Sequence, residues 1–354
     1  MTRKPTAALL GLLLVGSLFA AACGDDDGDD GADAGRDDTS ETGEGAEELT
    51  PIKVGILPIA GLAPLWYGIE EGYFEEEGLE VTTEIGEGGA AFTPAVLNGE
   101  YQFAIGEYLS VLQARENDVP IQVVSNLTNG SSSPDDHING LLVKADSGID
   151  GVEDLAGTTI AVNGLNGIDD VTVKAILDDA GVDPDSVSFV EVPFPDMLAA
   201  VESGQVDVAA EPEPFVTLGE ESGLVTLLDP YYEALPGLPL GLVFGAEDWL
   251  EENPDVAAAF HRALVRSIEA AADEEAMGEV IMANTDTTPE LLEAMALDDW
   301  AAEVDREKLS QLADLAITYG ALEDQPDLDE LIWTPPDADD ADGDADADAD
   351  ADGE

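Results

Sequence analysis

The sequence predicts an α/β fold of mostly parallel sheets with helices on both faces. Short apolar runs of strand length alternate with stretches of helical spacing through most of the chain. Turn residues separate them, as at Pro58, Gly78 and Gly164. The 354 residues, 44% of them hydrophobic, suffice for two domains with filled cores.

The first residues stand outside that fold. Arg3 and Lys4 precede an apolar run over residues 7–22, which closes on Ala20, Ala21 and Ala22. A basic start, an apolar run and small residues at a cut describe a secretory signal over residues 1–22. The run is short for a membrane span, and no stop-transfer pattern follows it. Cys23 is the only cysteine, so it has no internal disulfide partner and is expected to be reactive or modified. Residues 23–50 and 334–354 are rich in Asp, Glu, Gly and Ala, and their low hydrophobicity and high charge predict disorder. Neither holds the spaced acidic ligands of a calcium loop, and no metal is expected.

The folded part opens on a strand, loop, helix and strand. Residues 52–57 are apolar and strand-length; the chain then breaks at Pro58 and turns through Gly61. Helical spacing begins at Pro64, whose missing N–H costs nothing in a first turn, and places Leu65, Trp66, Ile69 and Tyr73 on one stripe. Gly78 stops the helix, and residues 79–85 form the next strand. Further strands are expected over 101–105, 121–125, 139–143, 159–162, 187–192, 206–210 and 240–244. The helices between them are expected over 109–115, 168–180 and 196–203. A long helix follows at 255–276, then helices over 289–297 and 306–319.

Charge limits the partners. Between residues 51 and 336 stand 58 acidic and 8 basic residues, a net of −50, and the whole chain carries −69 at pH 7. Such a surface repels nucleic acid. Self-repulsion of this size needs salt screening, which fits either a brine habitat or simply a very soluble exported protein.

Several loops after strands are candidate ligand contacts, because ligands of open α/β sheets bind beyond the strand carboxyl ends. The first holds Ile59, Ala60 and Ala63. Gly86, Gly88 and Ala91 spell G-x-G-x-x-A, but in so glycine-rich and acidic a chain the dinucleotide reading is weak, and no cofactor is expected. Glycine there lets backbone approach a ligand at the helix start. Residues 164–167, containing Asn166, repeat the design, with Asp169 in the following first turn as either a ligand contact or a dipole partner. Glu107 and Tyr108 follow one strand; Glu211 and Glu213 follow another, each as easily a surface acid as a ligand contact. Trp66, Phe92 and Tyr108 are candidates for stacking on a ring, with core packing the competing role for Trp66. No Lys or Arg falls in these loops. Acids beside aromatics favour a neutral or cationic nitrogenous ligand over an anion.

Residues 63–81, A-P-L-W-Y-G-I-E-E-G-Y-F-E-E-E-G-L-E-V, resemble the opening of the solute-binding proteins of bacterial ABC importers. The branch is the one that handles nitrate, sulfonates, taurine and thiamine-pyrimidine precursors. The likeness runs through residues 52–333. Gly204, Val206, Asp207 and Ala210 before Glu211-Pro212 resemble the branch's stretch ahead of its E-P pair. The resemblance implies a type II periplasmic-binding-protein-like fold with a ligand cleft between two lobes. The lobes are expected at 51–147 plus 236–333 and at 148–235, with crossings near Gly148 and Leu235. It also implies a small-molecule ligand captured by hinge closure and a permease and ATPase as partners. Residues 20–23 are similar to a bacterial lipobox with Ala20 in place of the usual Leu, which implies a lipid anchor on Cys23 outside the cytoplasmic membrane. A monomer is expected.

Catalysis finds little support in the residues. No G-x-S-x-G or H-E-x-x-H stretch occurs, and His137 and His261 are the only histidines. A fungal relative of this fold makes the thiamine pyrimidine with a cysteine-rich motif that this chain lacks. A ligand sensor without transport is the remaining alternative.

Overall fold

A computed structural model describes residues 49–86, 89–134 and 137–336, with side chains described except at 89–91. The expected signal, Cys23, Gly88 and most of the two acidic ends lie outside the described residues. Among the described residues eleven strands form two sheets. The chain starts in the first with β1 (Thr50–Ile56), β2 (Leu79–Ile85), β3 (Phe103–Glu107) and β4 (Ile121–Asn129). It crosses to the second for β5 (Asn139–Lys144), β6 (Thr159–Val162), β7 (Ser188–Glu191), β8 (Val208–Pro212) and β9 (Leu224–Thr226). It then returns to the first for β10 (Pro239–Ala246) and β11 (Asp299–Trp300). The strand orders are β11-β4-β10-β3-β1-β2 and β7-β6-β8-β5-β9.

Both sheets are mixed. β1 runs parallel to β2 and β3, and β6 runs parallel to β7 and β8, each pair joined through a helix as parallel strands require. β10 lies antiparallel to β3 and β4, and β5 antiparallel to β8 and β9. Antiparallel pairing is thus more extensive than strand–helix alternation implies, because β5 and β10 each arrive from the other sheet and not from a neighbouring strand of their own. The strand at 139–143 also corrects the first expected boundary. β5 pairs wholly within the second sheet, so the chain crosses between Asn129 and Asn139 and not near Gly148.

Alternation along the strands explains the layers. Leu141 and Val143 face one side of the second sheet, where Val173, Ile176 and Leu177 of the helix Ile168–Asp179 cover them. Leu142 faces the other, against Met197 and Val201 of the helix Phe194–Ser203. The first sheet has one large core. The helix Pro254–Glu269 buries Ala257, Phe260, Ala263, Leu264 and Ile268 in it, and Phe260 stacks on Phe103 at 4.0 Å. Its outer face carries Arg262 and Arg266, paired with Glu77 at 2.6 Å and Glu76 at 2.5 Å. The helix expected over 255–276 ends earlier, and Asp273 caps a separate helix, Glu274–Asn284, by accepting from Ala276 N.

Candidate functional site

β3 and β8 end two residues later than the apolar runs suggest, and this sets where the polar residues fall. Glu107 is the last residue of β3 and the N-cap of the helix Tyr108–Glu116, its carboxylate accepting from Leu109 N at 2.7 Å and Ser110 N at 2.8 Å. Glu213 follows β8 and accepts from Thr217 Oγ1 at 2.7 Å and Thr217 N at 3.1 Å. These strand ends open on a cavity of about 280 Å³ shared by the two sheets. The first sheet supplies mainly aliphatic surface: Leu57, Ile59, Leu62, Ile105, Leu127 and Leu242. The second supplies polar groups, among them Asn139, Asn163, Asp169, Glu213 and Tyr231.

The two halves touch around the cavity. Ala60 N donates to Glu213 O at 3.0 Å. Gln113 Nε2 donates to Asn166 O at 2.7 Å, while Asn166 N donates to Asp170 Oδ2 at 2.9 Å. Asn166 holds a left-handed φ of 58°, which Asn tolerates better than most residues, and this turn offers its carbonyl to the facing helix. Gly167 closes the approach: a Cβ there would lie 3.1 Å from Gly164 O and 3.7 Å from Glu107 Oε1.

Among the described residues five acids line the cavity, Glu107, Asp169, Glu191, Glu213 and Asp298, and no Lys, Arg or His does. Burial raises the carboxyls of Glu107, Asp169, Glu213 and Asp298 each to about 7. Glu107 and Asp298 keep some accessible surface because they face the cavity, yet the surrounding protein still desolvates them. For Asp169, the hydrogen bond from Tyr231 Oη at 2.6 Å opposes the rise, while Asp170, Glu107 and Asp229 add to it. Glu211 is 2% exposed, neither of its oxygens has a partner, and burial with the nearby Asp169 charge holds it well above the ordinary range. Among the described residues no group of three His, Cys or acidic side chains is placed to hold a metal.

Of the residues singled out from sequence, Ile59, Glu107, Asp169 and Glu213 line this cavity, and Asn166 stands between its lining residues Leu165 and Gly167. Ala60 and Ala63 are buried in the first core, Ala60 touching the second half through its backbone. Trp66, Phe92 and Tyr108 are core residues and do not line it. Phe92 packs against Tyr101, with ring centroids 6.1 Å apart, and fills the space left by Gly55 and Gly86. Tyr108 is fully buried and donates to Asn126 Oδ1 at 3.1 Å. Glu211 lies behind Asp169, not on the wall. Ala91 lies in the helix Gly89–Leu97. The aromatic lining residues are instead Phe194 and Tyr231, joined by Asp298 from the segment before β11. The repeated Tyr231-Tyr232 after the N-cap Asp229 was the available signal for one of them.

Among the described residues no helix is long and apolar enough to cross a membrane. The formylaminopyrimidine-binding protein of Halalkalibacterium halodurans is 25% identical over 260 residues, which are 73% of this chain and 72% of that protein. The ligand-binding component of an ABC-type import system from Staphylococcus aureus superposes with a TM-score of 0.71 at 15% identity, over 80% of this chain and 97% of its own. The periplasmic aliphatic sulphonate-binding protein SsuA of Escherichia coli gives a TM-score of 0.64 at 15% identity, over 80% and 97%. Those two likenesses show the periplasmic-binding fold expected from the opening stretch. The profile described as NMT1/THI5 like matches residues 60–276, and the chain belongs to that family.

Proposed function

We propose that this protein is the extracytoplasmic solute-binding component of an ABC importer, capturing a small nitrogenous solute, a heterocycle or an amine, by closure of two lobes. The observation that carries this reading is the cavity between the two sheets, walled by five acids and no base, in a chain of this family. The two sheets act as the lobes, and the Ala60–Glu213 and Gln113–Asn166 hydrogen bonds are the contacts that closure makes. A relative named for binding a formylaminopyrimidine supports the nitrogenous class. A sulfonate, nitrate or taurine ligand would lack a cationic side chain, and the N-terminus of the helix Tyr108–Glu116 is already filled by Glu107. Permease and ATPase are the partners of this reading. It involves no turnover of the bound solute.

A thermal-shift screen in high salt tests it, with pyrimidines, amines, sulfonates, nitrate and taurine. A pyrimidine or amine is expected to raise the midpoint in proportion to the logarithm of its concentration. A response confined to sulfonates or nitrate would sink the nitrogenous class. Export and anchoring rest on Cys23 behind its apolar run. Cys23→Ala is expected to move the protein from the membrane fraction to the medium without altering ligand response. Retention of the variant in the membrane fraction would refute the lipid anchor.

A further inference from the structure

The five lining acids do not all have the same freedom. Glu107 spends both oxygens on its own helix, and Glu213 spends both on Thr217. Asp169 has committed one oxygen, Oδ1, to Tyr231. The Asp298 carboxyl is met by its own backbone N–H, and its Oδ1 would lie 3.2 Å from a Cβ at Gly61. Glu191 is exposed. Two acids, Asp169 and Asp298, therefore remain to grip a solute.

The chain's general acidity does not account for these groups. Acids that keep a halophilic or merely soluble surface hydrated stay in water, whereas Asp169 is 8% exposed and the unpartnered Glu211 behind it 2%. Burying carboxyls with no basic neighbour is unfavourable unless protons or a cation neutralise them. Opposite them lies the aliphatic floor of Leu57, Ile59, Leu62 and Leu242, with the Tyr231 and Phe194 rings also on the wall. The cavity thus sets an aliphatic floor beside carboxyls from both halves, Glu107 and Asp298 from the first and Asp169, Glu191 and Glu213 from the second, and its roughly 280 Å³ is at the small end of ligand pockets.

We propose that the solute is a small organic cation with an apolar or aromatic body. The positive nitrogen is held by Asp169 and Asp298, and the body rests on the aliphatic floor of the first sheet. This rests on the solute-binding reading above and narrows it, from any nitrogenous compound to one that is charged when bound. Among the described residues the groups facing Asp169 are Tyr231, Glu107, Asp170, Glu211 and Asp229, none of them basic.

The test is calorimetric titration of the protein at pH 8 with benzamidine and with benzamide, which share a shape and differ in charge. Benzamidine is expected to bind at least about tenfold tighter than benzamide, as a charge-assisted pair requires. Asp169→Asn and, separately, Asp298→Asn are expected to remove most of that preference, with benzamidine losing more affinity than benzamide. Two variants are used so that one folding failure does not void the result. Equal affinities, no benzamidine binding, or an unaltered preference in both folded variants would overturn the cation assignment. Binding of a neutral aminopyrimidine without benzamidine binding would overturn it while leaving the nitrogenous reading standing. Binding of sulfonates or nitrate alone would remove both.

Discussion

Gly68→Val is expected to lower the stability of the fold by about 3 kcal/mol or more, with ligand contacts untouched. Gly68 is buried in the helix Ala63–Glu70, where the helix Pro254–Glu269 crosses it. A Cβ at Gly68 would fall on Ser267 Oγ, and within 3.0 Å of Ser267 Cβ and Phe74 Cε2. None of these atoms has room to retreat. Ser267 is fully buried, and its Oγ donates to Ala263 O at 2.8 Å. Phe74 is 1% exposed and packs on Phe260, itself stacked on Phe103 beneath. Overpacking a close-packed interior typically costs about 1–3 kcal/mol, and valine adds two methyl groups to the clash. Gly68→Ala gains up to about 1 kcal/mol of helix propensity, so it should fall short of the valine variant. Ser267→Ala removes the nearest atom and should recover part of the Gly68→Ala loss. Urea midpoints of the two single variants and the double variant give the coupling directly. A wild-type midpoint for Gly68→Val would show that the helices are not in contact there.

The sequence made some of the cavity legible and hid the rest for physical reasons. Glu107, Asp169 and Glu213 were readable because strand and helix periodicity locates strand ends, and polar residues just past them face the cleft. The resemblance around Trp66 pointed to the family but not to a ligand contact. An aromatic residue on an apolar stripe has the same pattern whether it faces a ligand or a core, and Trp66, Phe92 and Tyr108 all face cores. Phe194, Tyr231 and Asp298 were missed because nothing local brings them together. Tyr231 lies in the five-residue helix Pro230–Ala234, and Asp298 precedes a two-residue strand whose partner, β4, is distant in the chain. The capping role of Glu107 was likewise hidden, since Ser, Thr, Asp and Asn are the residues that usually announce an N-cap. The early crossing at β5 has the same origin. An apolar run states that a strand exists, and only its partners, β8 and β9, decide which sheet receives it.

The ligand-free protein is expected to be less stable at pH 8 than at pH 5, by a net of about 3 kcal/mol, a midpoint change on the order of 10 °C. The unfolded chain titrates its carboxyls at the ordinary 4.5 for Glu and 3.8 for Asp, whereas folded Glu107, Asp169, Glu213 and Asp298 hold protons to about 7. Below about pH 4 both states are protonated and these groups cost the fold nothing. As pH rises from there towards 7 the unfolded chain ionises first, and stability drains away until the folded carboxyls ionise too. Each group alone would withdraw about 3–5 kcal/mol over that interval, at about 1.4 kcal/mol for each unit of pKa. The four share neighbours, and relaxation with water entry into the cavity lets them ionise at less than the sum of their separate costs. General repulsion among the chain's 80 acids acts in the same direction. Salt separates the two causes, because molar salt screens surface charges closely and buried ones much less. A pH dependence that survives molar potassium chloride therefore belongs to the cavity, and one that vanishes belongs to the surface. A saturating cation that neutralises Asp169 and Asp298 should flatten the surviving slope above pH 6. A neutral ligand should raise the whole curve and leave its slope in place.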